Sequence, residues 1–472
     1  MLFNSLPFLI FAIVFFAFWP FLNKKKNARY SGIVLFSFLF YGWWDWRFLF
    51  LILFSGIIDY LAGLLIYSNQ KRKKLYLAIS LIANVGSLAI FKYAGLLAES
   101  LDSILSLASI NIGLQNNLPE FTLILPVGIS FYTFQSMSYT IDIYRNQLKP
   151  TKNIFHFFAF LAMFPQLVAG PIIRAKNLLK QLEEYKETTS LQTWNGLKLI
   201  TYGYFQKTVI ADNVAMLVNP AFKGVGGNDS MIYWWIVMIC FSLQIYFDFS
   251  GYSSIARGLA KLMGYHFKMN FNHPYISTSL KEFWQRWHIS LSTWFRDYVY
   301  FALGGSKKSK LRSHVNMWIT MTISGLWHGA AFTFIFWGLI HSLFLSIERA
   351  SNWTRKISTF PGGKTICWII VMVQVIIAWT FFRAETMQQA FGIINRLFST
   401  TTTLIVTSQF FNALTFLLIG LLFEIMYFLQ LKNKHFRKAF KNIWAEAITI
   451  ALLVTMSIFF RGPEQEFIYF QF

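Results

Sequence analysis

Apolar residues fall along this chain in blocks of bilayer length, near 6–22, 30–46, 47–67, 75–97, 121–143, 196–218, 231–252, 365–382, 411–431 and 443–460. About 20 predominantly apolar residues in α-helix cross a hydrocarbon layer, so each block predicts a spanning helix. The block at 6–22 runs into Lys24, Lys25 and Lys26 and has neither a basic leader nor a small-residue cleavage site. It predicts a retained helix rather than a signal peptide. No repeat or heptad array interrupts the pattern, which predicts one membrane-embedded domain over 1–472.

Basic clusters between the blocks orient them. If Lys24 to Lys26 and the run Lys71-Arg72-Lys73-Lys74 are cytoplasmic, the turn at Asp45 to Arg47 lies outside. The loop 98–121 is then outside too, and it holds Glu99, Asp102 and Glu120 but no Lys or Arg. Two regions, 154–173 and 280–347, are apolar but broken. Basic residues flank both ends of 154–173, and its stretch Phe164-Pro165-Gln166-Leu167-Val168-Ala169-Gly170-Pro171 breaks helix at depth. A re-entrant hairpin meets both conditions. The segment 313–347 also lies between basic groups, Lys307 to Arg312 and Arg349 to Lys364. Two half-length helices meeting at 325–329 would return the chain to its starting side; one long tilted helix is the alternative. The expected fold is an all-α polytopic membrane protein with roughly eleven spanning helices plus re-entrant segments.

Composition agrees. Hydrophobic residues make up 56% of 472 positions and charged residues 13%, about half the charged fraction of a soluble protein. A formal charge of +22 in a soluble chain would point to nucleic acid. Here the cations sit in loop clusters, so topology accounts for them, with anionic headgroups as their expected contacts and no nucleic-acid partner. Cys240 and Cys367 both lie within apolar spans and imply no disulfide framework.

Against this background His328 stands out, in Gly325-Leu326-Trp327-His328-Gly329-Ala330 with no charge within a dozen residues. Polar titratable groups are costly in a membrane and are usually kept for function, and imidazole suits base catalysis near neutral pH. The bland alternative is a histidine that only bonds a neighbouring helix. Upstream, the block 282–298, which opens Glu282-Phe283-Trp284-Gln285-Arg286-Trp287-His288, has helical spacing, with an i,i+4 ion pair expected between Glu282 and Arg286. It reads either as an interfacial helix with tryptophan anchors or as a re-entrant helix with His288 facing a cavity. No nucleophile elbow, phosphate loop, dinucleotide fingerprint or His-Glu-x-x-His helix is present, and ligand spacing predicts no metal site. Acyl transfer to a hydroxyl needs little beyond a general base, a donor thioester and oxyanion stabilisation. Asp248 and Asp142 are expected to face headgroups or pair with Arg257 and Arg145, Lys92 and Asn84 to snorkel or cap, and His341 and His156 to be packed or interfacial histidines.

Several stretches in order resemble the membrane-bound O-acyltransferase family, in the branch of bacterial alginate O-acetylases and teichoic-acid D-alanyl transfer proteins. They are Ser130-Phe131-Tyr132-Thr133-Phe134-Gln135 with 139–145, then 164–174, Phe247-Asp248-Phe249-Ser250-Gly251-Tyr252-Ser253, 283–298, 325–330 and the closing Phe467-Ile468-Tyr469-Phe470-Gln471-Phe472. The resemblance covers nearly the whole chain. It implies a ring of helices around a central catalytic tunnel, with His328 at the family's essential histidine, taken as its general base. His288 matches the second position, and Arg286, Trp287, Trp327, Asp297 and Gln135 occupy motif positions with supporting roles. Ser254 stands where many relatives carry an acid, which puts that carboxylate's role in doubt here.

The implied reaction carries an acyl group, acetyl first, from a cytoplasmic thioester such as acetyl-CoA toward hydroxyls of a secreted or envelope polysaccharide. No bound cofactor is implied. An extracytoplasmic SGNH-type partner and a bacterial inner-membrane location are implied as well. The alternatives are D-alanyl transfer from a carrier protein and, from another class, a transporter or scaffold whose histidines line a path.

Overall fold

The computed structural model describes residues 1–472 except 111, 120–125, 169, 225–227, 404–405, 441 and 471–472. Outside the described residues therefore lie the start of the predicted span 121–143, Glu120, Ala169, Lys441 of the last basic cluster, and the closing Gln471 and Phe472. Among the described residues the secondary structure is helical, without strands. The chain divides into two units, residues 1–197 with 256–268, and residues 198–255 with 269–472.

In the first unit, α1 (Leu6–Lys24) starts where the Ser5 hydroxyl accepts from the Phe8 amide. Next come α2 (Lys26–Asp45) and α3 (Leu49–Ser68), joined by a tight turn in which Asp45 pairs with Arg47 at 2.6 Å. Then follow α4 (Lys73–Leu88), α5 (Ala94–Leu107) and α6 (Ile129–Tyr144), the last buried at every residue but Ile141 and Tyr144. The prolines act as expected: α7 (Ile154–Leu161) stops, the four-residue α8 (Phe164–Leu167) carries Pro165 in its first turn, and irregular chain leads to α9 (Ala175–Glu183). All of 157–164 is buried, as irregular backbone at membrane depth must be.

Two polar groups hold this unit from inside. Asp59 is fully buried and accepts from Ser80, from Ser136 and from the Asn84 amide at 2.9 Å, while Ser55 donates to Asn84 at 2.6 Å. Asn84 is thus a cross-helix tie and not a cap, because an amide beside a buried carboxylate satisfies both. Arg29 directs its guanidinium at Asn23, Leu182 and Glu183 carbonyls, 2.8–3.1 Å away, which neutralises the C-terminus of α9. His156 bonds Thr151 and the Leu179 carbonyl and stacks on Tyr30, a packed histidine as expected. Asp142 is 1% exposed, so it does not face headgroups.

The chain enters the second unit within α10 (Ser190–Tyr204) and continues through α11 (Asp212–Phe222) into the 32-residue α12 (Met231–Leu262), whose residues from Ala256 on belong to the first unit. Two short helices follow, α13 (Leu280–Arg286) and α14 (Ile289–Phe295), then α15 (Lys310–His328) and α16 (Phe332–Ser351). The remaining elements are α17 (Trp353–Ile357), α18 (Gly363–Arg383), α19 (Met387–Leu397), α20 (Ser408–Lys432), α21 (Lys434–Ala439) and α22 (Ile443–Phe459), ahead of a C-terminal strap.

Among the described residues six helical runs are long and apolar enough to cross a membrane: Leu6–Lys24, Lys26–Ser68, Lys73–Leu107, Met231–Leu262, Gly363–Arg383 and Ser408–Lys432. The predicted blocks 30–46 and 47–67 share one of these runs. Block 196–218 is broken by a wide helical turn at Phe205–Ala211, and α22 has only 17 residues. The protein is a multi-pass, all-α membrane protein.

The hairpin predicted over 313–347 is present, but its arms are full length. At 19 and 20 residues, α15 and α16 each extend about 28–30 Å. The long-tilted-helix alternative is excluded by the extended backbone at Gly329 and Ala331. Gly325 lies inside α15 rather than at the turn. A Cβ there would meet the Phe334 carbonyl oxygen at 2.2 Å, and one at Gly338 would meet that of Met321 at 2.5 Å. These glycines let the two backbones touch.

Candidate active site

His328 is the last residue of α15, and the turn delivers its side chain into an aromatic enclosure. The rings of Trp327, Trp337, Phe382 and Tyr469 surround the imidazole at centroid distances of 5.0, 5.1, 5.2 and 5.7 Å. Only 3% of the histidine is exposed. Phe382 comes from the end of α18 and Trp337 from α16, so three helices and the strap converge on one ring.

His288 arrives differently. The helical spacing over 282–298 predicts one helix; the structure breaks it at His288, whose φ of 40° and ψ of 56° are left-handed. A non-glycine residue there costs roughly 1–2 kcal/mol and persists only when its surroundings fix it. The fixing groups are identifiable. Ser279 caps α13, whose first amides are also bound by Glu348 of α16 at 2.7 and 3.3 Å. Glu282 pairs with Arg286 at 2.9 Å as the i,i+4 spacing predicts, and Arg286 donates to the Asn272 carbonyl. Asn270 then takes the amide of Ile289 and both polar groups of Ser290. Its own amide donates to Ser253 of α12 at 3.3 Å. The chain is thus clamped on both sides of His288, which is fully buried against Phe249 at 4.6 Å, Phe271 at 6.0 Å and Trp327 at 6.0 Å.

The two histidines therefore share neighbours: Trp327 and Tyr469 pack on both. Trp287 stands one layer behind, 5.0 Å from Phe271 and 4.9 Å from Trp379. Arg286 acts on the backbone through Glu282 and Asn272. Asp297 pairs with Arg296 at 2.7 Å on a half-exposed turn. Gln135 belongs to the first unit, where its amide donates to the Phe160 carbonyl beside that of Gln166. His341 is fully buried between Trp284 and Trp337, a packed histidine.

Sequence reasoning assigned no role to Tyr469. Its hydroxyl is buried and has no hydrogen-bond partner among the described residues. The strap that carries it is tied down along its length. The Asn213 amide donates to the Phe460 carbonyl, the Gly462 amide to Thr208, Asn219 to the Gln465 side chain, and the Ile468 amide to Asp248 at 2.7 Å. Lys207 donates to the Gln465 carbonyl at 3.1 Å and pairs with Asp212 at 2.9 Å and Asp248 at 2.8 Å, all three side chains almost fully buried. Asp248 does not take up the expected pairing with Arg257. Nine residues along a helix rotate the side chain by about 180° to the opposite face, and Lys207, 41 positions upstream, takes its place. The aromatic density of 467–470 was the available signal, but only the fold shows what it touches.

The sequence profile of the membrane-bound O-acyltransferase family matches residues 144–388. A probable alginate O-acetylase of Pseudomonas aeruginosa is 39% identical over 409 residues, covering 84% of this chain and 75% of that protein. The peptidoglycan O-acetyltransferase of Helicobacter pylori is 34% identical, covering 84% of this chain and 79% of that one. A teichoic acid D-alanyltransferase of Bacillus subtilis is 30% identical, covering 56% and 68%. The chain belongs to the membrane-bound O-acyltransferase family and is a multi-pass membrane enzyme that transfers acyl groups to oxygen.

Proposed function

We propose that this enzyme carries an acetyl group from a cytoplasmic thioester, such as acetyl-CoA, toward hydroxyls of a secreted or cell-envelope polysaccharide. The observation that supports it most is the convergence of His328 and His288 on Trp327 and Tyr469 in a buried, aromatic enclosure. In this reading an imidazole nitrogen of His328 takes the proton of the attacking hydroxyl as its oxygen bonds the thioester carbonyl carbon. The tetrahedral intermediate then breaks its C–S bond, and the thiolate leaves with the proton returned by the imidazolium. Tyr469 donates its hydroxyl to the carbonyl oxygen as charge develops there, and His288 orients the reacting groups. Trp287 and Trp327 exclude the water that would hydrolyse the thioester, while Arg286 and Asp297 hold nearby backbone in place and Gln135 supports the backbone of its own unit.

Delivery to the polymer is completed by an extracytoplasmic SGNH-type partner, and the enzyme resides in the bacterial inner membrane. Acetyl is favoured over D-alanyl because the acetyltransferase relatives align over more of this chain than the D-alanyltransferase does. Purified enzyme in lipid nanodiscs, given labelled acetyl-CoA or a D-alanyl carrier thioester, tests the donor. Turnover with the acetyl thioester is expected; turnover with the D-alanyl thioester alone would replace this reading with its rival.

A further inference from the structure

Arg383 ends α18 and is 8% exposed. Among the described residues its one hydrogen bond runs from Nη2 to the Asn219 side chain at 3.3 Å, its guanidinium carbon lies 5.1 Å from the centre of the Phe222 ring, and Nε has no acceptor. Among those residues no carboxylate lies within ion-pair distance of it; the exposed Glu385, two positions on, is the carboxylate that acts on it from further away. Arg29, also buried in a helix, shows what a structural guanidinium does in this protein: it is bonded to three backbone carbonyls of its own unit. The C-terminal dipole of α18 offsets only part of the charge on Arg383. A buried membrane cation whose nearest opposite charge is an exposed carboxylate beyond ion-pair distance is costly, and such groups mark ligand sites.

Its place is informative. The preceding residue, Phe382, packs 5.2 Å from His328, and Asn219 also bonds Gln465 on the strap that carries Tyr469. Lys364 and the basic residues before it put the start of α18 on the cytoplasmic side, so Arg383 stands at the opposite, exit end of a 21-residue helix. A guanidinium with a free Nε–H is a fork for a planar or tetrahedral oxyanion.

We propose that Arg383 is an acceptor-recognition site for an oxyanion, a sugar carboxylate or sugar phosphate, presented from the extracytoplasmic face. The proposal deepens the acyltransferase reading and rests on it for the identity of the ligand's carrier. The test uses full-length enzyme in phosphatidylcholine nanodiscs, with thermal midpoint as a readout independent of turnover. The probes are trigalacturonate, a sugar phosphate and a neutral trisaccharide. One or both anionic probes raise the wild-type midpoint by several degrees and the neutral one does not; Arg383→Gln abolishes the difference, and Arg383→Lys keeps part of it.

In transfer assays Arg383→Gln raises KM for the anionic acceptor at least tenfold with kcat within about threefold. A wild type that does not distinguish charged from neutral probes overturns the proposal, as does an R383Q protein that still does. If R383Q is not recovered folded, inorganic phosphate must compete with the anionic probe on the wild type and not with the thioester; lack of competition overturns it. A midpoint raised by phosphatidylglycerol but not by either soluble anion would assign Arg383 to lipid and end the acceptor claim. Absence of any transfer alongside intact anion binding would instead count against the acyltransferase reading alone.

Discussion

At Lys207 one ammonium compensates two carboxylates, and all three side chains are almost fully buried. Removing it leaves Asp212 and Asp248 buried without a counter-charge. Lys207→Met is expected to cost about 3–5 kcal/mol, read as a lowered thermal midpoint, and adding Asp248→Asn should recover part of the loss. The half-exposed Glu282–Arg286 pair is a contrast: Glu282→Gln should cost under ~1 kcal/mol. At His288 the left-handed backbone reverses the usual ranking of small residues. His288→Gly is expected to be more stable than His288→Ala by about 1 kcal/mol, while both slow acyl transfer. If the glycine variant kept full activity, the imidazole would be only a strained spacer. Tyr469→Phe keeps the ring contacts and removes one donor. It should fold normally and slow transfer by about 10²-fold.

At the scale of elements, the hairpin of α15 and α16 sets where His328 stands, and two glycine contacts close it. Gly338→Leu drives a side chain into the Met321 backbone, so it should give little folded protein in a size-exclusion profile. Ile319→Val, on an exposed face of α15, is the control and should be near neutral. Much of this level was readable in advance. The apolar blocks, the proline break before α8, the turn after His328 and the 282–286 ion pair all follow from local spacing. The break at His288 did not, because it is imposed by Asn270 and Asn272 from a separate loop. The Lys207–Asp248 pair, the Asp59 cluster and the role of Tyr469 were hidden for the same reason. Each joins positions 21 to 220 residues apart, and periodicity carries no information at that range.

For the whole molecule, the basic clusters and the helix order make one topological claim. They predict an outside position for 384–403 and a cytoplasmic one for 434–440. Both native cysteines are buried, so single introduced cysteines can report it. Thr400→Cys, at an exposed position, should react with an impermeant maleimide added to intact cells, and Lys434→Cys should react only after the membrane is opened. In the proposed reaction the thioester comes from inside and the hydroxyl from outside, and the two meet at one imidazole. The most direct test is the rate of acyl transfer by full-length His328→Ala enzyme, beside wild type, with thermal midpoints measured on both. The account predicts a folded variant whose rate falls by about 10²–10⁴-fold. A folded variant transferring at the wild-type rate would contradict it.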